Sequence, residues 1–151
     1  FISAQIYKEL VHTGKVIGIK DTTCSMEGIT AKIKAAPESV IYQANTPFML
    51  EALQFGAKGI MAIISAAGSK AVLRFWKQFR ENGDRIQELY RHLVFLDSIL
   101  RFGYPATAKY LASLQGVSFT TYCRSQDTLS KEASKAVQVW LDIEKEYSSF
   151  F

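Results

Sequence analysis

A chain of 151 residues with 48% apolar, 13% aromatic and 21% charged side chains has the make-up of a folded globular protein. That balance excludes collagen-like repeats, low-complexity disorder and disulfide-stapled miniproteins. The formal charge of +4 is spread along the chain, and its densest basic set, Lys70, Arg74, Lys77 and Arg80, has the spacing of one solvated helix face without an aromatic stacking platform, so no nucleic-acid partner is expected.

Ile2, Ile6, Leu10 and Val11 carry a helical spacing over residues 2–12, and Gly14 stops it. Val16-Ile17-Gly18-Ile19 is continuous and β-branched, the pattern of a strand buried on both faces. Residues 26–36 predict a helix closing at Pro37, and Val40-Ile41-Tyr42 a second strand. Met49, Leu50 and Leu53 place a helix over 47–55, with Gly56 as its C-cap residue. Residues 58–64, from Lys58 to Ile64, predict a third strand. Strands alternating with helices at a spacing of about 20 residues imply βαβ units and a parallel sheet.

From Ser69 the pattern becomes all helical. Ser69 suits an N-cap, followed by an apolar face of Val72, Phe75, Trp76 and Phe79. Asn82-Gly83-Asp84 is a turn. Ile86, Leu89, Tyr90, Leu93, Leu96 and Leu100 form the stripe of the next helix, broken at Gly103-Tyr104-Pro105. Pro105 suits the start of a helix that ends at Gly116. A polar stretch over 120–130 precedes a last helix over 131–147, with Val137, Trp140 and Leu141 inward.

Three parallel strands leave apolar edges open and look like part of a larger sheet. In parallel α/β architectures the chemistry lies at the carboxyl ends of the strands. Those ends are Lys20-Asp21-Thr22-Thr23, Gln43-Ala44-Asn45-Thr46 and Ile64-Ser65. Lys20 continues an apolar strand. Desolvation of its stem would disfavour the ammonium and make the amine a nucleophile able to form a Schiff base with a carbonyl substrate. The alternative is a lysine that ends a strand and snorkels to solvent. Cys24 and Cys123 stand far apart without a signal peptide, which fits a reducing cytoplasm. No apolar run reaches the ~18 residues of a membrane span. His12 and His92 give a metal site little to build on.

Val16-Ile17-Gly18-Ile19-Lys20-Asp21-Thr22-Thr23 resembles the sixth strand of the dihydrodipicolinate synthase / N-acetylneuraminate lyase family, class I pyruvate-type aldolases on a (β/α)8 barrel. Leu53 followed by Gly56-Ala57-Lys58-Gly59-Ile60 is similar to the family's approach to the eighth strand. Tyr104-Pro105 with Lys109, Leu111 and Gly116 is similar to one of its later helices. The resemblance implies an α/β fold, the C-terminal part of a TIM (β/α)8 barrel with about three βα units and an all-helical extension. Residues 1–69 would form strands six to eight with their helices. Residues 70–151 would form the last barrel helix and the C-terminal helical extension.

The resemblance makes Lys20 the Schiff-base lysine. It places the backbone around Met61 near a bound pyruvate moiety, and Ala44 and Asn45 against the variable part of the substrate. Ala44-Asn45 stands where the family commonly has Gly-Asp, and Cys24-Ser25 where many members have Gly-Asp or Gly-Asn. A substrate that needs the Asp carboxylate is therefore disfavoured. Pyruvate or a 2-keto acid, plus an aldehyde, is the implied substrate, with no cofactor, no metal, no membrane partner and a homo-oligomer (dimer or tetramer) in the cytoplasm. Synthase, sialic-acid-type lyase and keto-deoxy-sugar aldolase all remain open. The family's proton-relay tyrosine and its carboxylate-binding Thr pair would lie before Phe1, and a full barrel takes about 250 residues. The chain is therefore expected to be a C-terminal half, with Phe1 at a cut. The rival expectations are a barrel relative that has lost catalysis and a stand-alone α/β binding module.

Overall fold

The computed structural model describes residues 1–118, 120–125 and 128–148. Gln126 and Asp127, in the expected polar stretch, and residues 149–151 at the end of the expected helical extension lie outside the described residues, as does Phe119. The chain divides into two compact units, Phe1–Ala62 and Ile63–Phe151.

In the first unit, α1 (Ala4–His12), β1 (Gly18–Asp21), α2 (Met26–Ala35), β2 (Val40–Gln43), a 3-10 turn (Thr46–Phe48), α3 (Met49–Phe55) and β3 (Gly59–Ile60) follow in order. The serines supply the helix starts. Ser3 accepts from the backbone N–H of Ile6, and Ser25 from that of Gly28. Gly56 ends α3 with φ +122°, a conformation that L side chains rarely adopt. The sheet is parallel in the order β1-β2-β3. On one face Ile19 and Ile41 pack with Tyr7, Val11, Ile33 and Ala36 of the helices. The Tyr7 hydroxyl, inside this core, donates to Ser39 Oγ at 2.7 Å.

The strands are covered on one face rather than two. Gly18, Lys20, Val40 and Tyr42 lie on the other face, where Lys20 and Tyr42 are exposed. The apolar run at 58–64 forms a strand over only Gly59–Ile60. Its end, Ile64, starts the short helix α4 (Ile64–Ala67) and is fully buried. A continuous apolar run does not alternate, so it suits a buried helix as well as a strand.

The second unit holds α4, α5 (Ser69–Arg80), α6 (Ile86–Arg101), α7 (Ala106–Leu114) and α8 (Lys131–Ser148). Ser69 falls inside α5 instead of capping it, because α4 runs almost directly into α5 through Gly68. The expected stripes do the packing: Phe75 of α5, Leu89, Leu93, Leu96 and Leu100 of α6, Leu111 of α7, and Val137 and Trp140 of α8 are buried. Lys70, Lys77 and Arg80 are exposed as expected, but Arg74 turns inward and binds Glu144. No described helix is long and apolar enough to cross a membrane.

Candidate active site

Parallel pairing sets the carboxyl ends of the three strands side by side. Lys20 pairs in register with Tyr42, and Tyr42 in turn with Gly59. With Ile17, Gly18, Ile19 and Val40, these two side chains line a shallow recess of about 300 Å³. The Lys20 side chain stands in solvent on this face. The apolar layer expected around its stem is not present within residues 1–62, because Val40, Tyr42 and Ile17 lie beside it but do not cover it.

Two glycines shape this face. A Cβ on Gly18 would sit 2.2 Å from the Val40 carbonyl oxygen, so β1 and β2 approach this closely only with glycine there. A Cβ on Gly59 would sit 2.2 Å from a Tyr42 ring carbon, so the ring lies across Gly59.

Ala44, Asn45 and Met61 also reach this end of the sheet. The Ala44 N–H donates to the Asp21 carbonyl, and the Met61 N–H to that of Gln43, both at 2.9 Å. The ladder thus extends past the strands and holds all four predicted residues at one edge. Met61 is exposed and Ala44 and Asn45 are half-buried. The Asn45 side chain is already engaged, since its Nδ2 donates to the Thr23 carbonyl at 3.1 Å while its backbone N–H donates to Gln43 Oε1 at 2.7 Å.

Behind the sheet lies a polar cluster that sequence reasoning missed. Lys32 of α2 is buried at 4% exposure, and its ammonium donates to Asp21 Oδ1 at 3.1 Å and to Thr23 Oγ1 at 2.5 Å. Thr23 donates to the same Asp21 oxygen from its hydroxyl at 2.8 Å and from its backbone N–H at 3.1 Å. Asp21 and the fully buried Gln43 are register partners. A signal for Lys32 was available: the spacing Ile29, Lys32, Ile33, Ala36 sets a charged residue on the apolar stripe of α2. Thr22-Thr23 follows the lysine, and Thr23 is committed to this cluster.

The second unit has a charged cluster of its own. Glu144 of α8 is buried and accepts from Arg74 of α5 and, at 2.9 Å, bonds His92 Nε2 of α6. Burial opposes ionisation of Glu144, but the hydrogen bonds to His92 and Arg74 outweigh it and hold the carboxyl below its ordinary range. The His92 ring is stacked between Trp140 at 4.8 Å and Tyr147 at 4.7 Å. These residues form one end of an apolar groove of about 950 Å³ between α6 and α8, along which Phe95, Phe102 and Val139 are exposed.

The profile of the Dihydrodipicolinate synthetase family matches residues 2–144. The chain belongs to this family. No curated protein matches it. Among solved structures it is similar to the prophage protein YagE of E. coli K12, a dihydrodipicolinic acid synthase family protein solved in complex with pyruvate. The two are 16% identical with a TM-score of 0.83, over 95% of this chain and 51% of that one. Dihydrodipicolinate synthase from Aquifex aeolicus is 18% identical with a TM-score of 0.81, over 97% of this chain and 50% of that one. The synthase DapA-2 from Bacillus anthracis is 21% identical with a TM-score of 0.84, over 93% and 49%. The chain spans about half the length of these structures. As a dihydrodipicolinate synthetase family member it has the fold of the C-terminal part of a (β/α)8 barrel, three βα units followed by helices, within a family of synthases and lyases.

Proposed function

We propose that the protein is a class I lyase in which Lys20 forms a Schiff base with pyruvate or a related 2-keto acid. The observation that carries this reading is the position of Lys20: its amine stands free on the open sheet face at the carboxyl end of β1, whereas Lys32 is buried against Asp21. Strand ends on this side of a barrel are where catalytic groups stand.

The chemistry follows from the amine. Unprotonated Lys20 attacks C2 of the keto acid, the carbonyl oxygen leaves as water, and a C2=N iminium remains. The iminium draws electrons from the C3–H bond, a base takes the proton, and an enamine forms. Its C3 then bonds to the carbonyl carbon of an aldehyde as the C=O π pair moves to the aldehyde oxygen, which takes up a proton. The iminium re-forms, and its hydrolysis by water frees the product and the lysine. The reverse sequence cleaves a longer keto acid to pyruvate. Met61 would flank the pyruvate moiety, and Ala44 and Asn45 the aldehyde portion. Asn45 carries no charge and its amide is tied to Thr23, so a neutral aldehyde suits this edge. The same reading makes the protein a cytoplasmic homo-oligomer.

Borohydride reduction of the intact protein with pyruvate should leave a mass adduct on Lys20, and Lys20→Ala should abolish it. An adduct on another lysine, or none, overturns the assignment.

A further inference from the structure

The cluster behind the sheet touches the same residues that hold Lys20. Asp21 follows Lys20 in β1 and points to the opposite face, with 3% exposure. Its Oδ1 accepts three hydrogen bonds, from Lys32 Nζ, Thr23 Oγ1 and the Thr23 N–H. Its Oδ2 is buried and makes no hydrogen bond among the described residues. Lys32 is therefore the cation that balances this carboxylate, and a carboxylate buried without one is strongly disfavoured. Lys32 also bonds Thr23, whose carbonyl takes the Asn45 amide. One ammonium thus fixes the last residue of β1, the loop that follows it and the loop that follows β2.

We propose that Lys32 is a positioning residue for Lys20. It clamps Asp21 and Thr23, and so fixes the backbone from which the Lys20 amine reaches the keto acid. The proposal rests on the reading of Lys20 as the reactive amine. Lys32 touches no substrate. Its ammonium is committed to Asp21 on the helix side of the sheet, which also separates the two lysines by role: Lys20 reacts and Lys32 holds.

The test is rapid-quench borohydride trapping of pyruvate on the intact protein, with the modified lysine located by mass. Wild type is measured first, and absence of a Lys20 adduct there refutes the underlying reading before any variant is made. Given that adduct, Lys32→Met should still be labelled on Lys20, but about 10- to 100-fold more slowly, the range expected for a misplaced reacting group. The pyruvate concentration giving half-maximal rate should move less than about threefold, since Lys32 makes no contact with pyruvate. Thr23→Val, which keeps the ion pair and removes one bridge, should slow trapping several-fold, and it alone decides the matter if Lys32→Met does not fold. In the double variant Lys32→Met with Asp21→Asn the two charges disappear together, so the melting temperature should recover while the trapping rate does not. Trapping at the wild-type rate in a folded single variant, or recovery of both quantities in the double variant, assigns the pair to stability alone and overturns the proposal.

Discussion

The two units each bury a carboxylate, and they hold it differently. Asp21 gathers its bonds from residues close by in sequence, Thr23 and Lys32, and all of them fall on one oxygen. Glu144 uses both oxygens, for Arg74 and His92, partners 70 and 52 residues away on two other helices. The first arrangement shapes one strand end and the loop beside it. The second joins α5 and α6 to α8. On the proposed reading, the local clamp beside Lys20 acts on the chemistry there, whereas the distant pairing between helices acts on the stability of the helical unit. Substitutions that separate these two roles can break the comparison.

The largest effect on stability is expected from Glu144→Val. It leaves Arg74 and His92 without their shared anion in a buried setting, and breaking such a pair costs about 3 to 5 kcal/mol. Both tryptophans, Trp76 and Trp140, belong to the second unit, so fluorescence-monitored urea unfolding of the chain reports on that unit. The same carboxylate sets an acid dependence. Its folded pKa lies below the ordinary value, so its contribution is present above the unfolded carboxylate pKa of about 4.3. That contribution is lost as pH falls through the lower, folded value. Glu144→Val should remove this part of the acid loss, and an acid transition unchanged by the substitution would place the loss in other groups.

Next in size is Gly18→Ala. The added Cβ meets the Val40 carbonyl at 2.2 Å and its Cβ at 3.0 Å, and a paired backbone has nowhere to go. Overpacking of this kind costs about 2 to 3 kcal/mol. The loss should appear by far-UV circular dichroism while the tryptophan transition stays in place. A tryptophan transition that moves with it would mean that the two units unfold as one.

The sequence carried the order of elements well because the patterns were redundant. Stripes such as Leu89, Leu93, Leu96 and Leu100 agreed with the turns around them, and short β-branched runs alternated with helices at regular spacing. The placement of Lys20, Ala44, Asn45 and Met61 at one sheet edge was legible for the same reason, since parallel strands of equal direction end together. Polar pairing was not legible. Arg74 has the spacing of a solvent residue, and nothing in that spacing announces Glu144 seventy positions later. Lys32 is one of two lysines in α2, and the sequence presents its partner Asp21 only as the neighbour of Lys20. The end of the third strand failed on a different ground, because the burial of Ile64 says nothing about whether the backbone is extended there.

The smallest effect is expected from Gly59→Ala, and it sharpens the contrast with Gly18. By distance the two sites look alike, since the new Cβ also meets an atom at 2.2 Å. The difference lies in what the atom belongs to. At Gly59 it is the ring of Tyr42, a side chain still 38% exposed on the open face, and a ring with solvent beside it can swing away. The cost should therefore be about 1 kcal/mol, the lower end for overpacking. The ring would move within the recess that Lys20 lines, so Gly59→Ala should perturb borohydride trapping more than its small loss of stability suggests. A loss as large as that of Gly18→Ala would show instead that Tyr42 is fixed in place and is part of the sheet's packing.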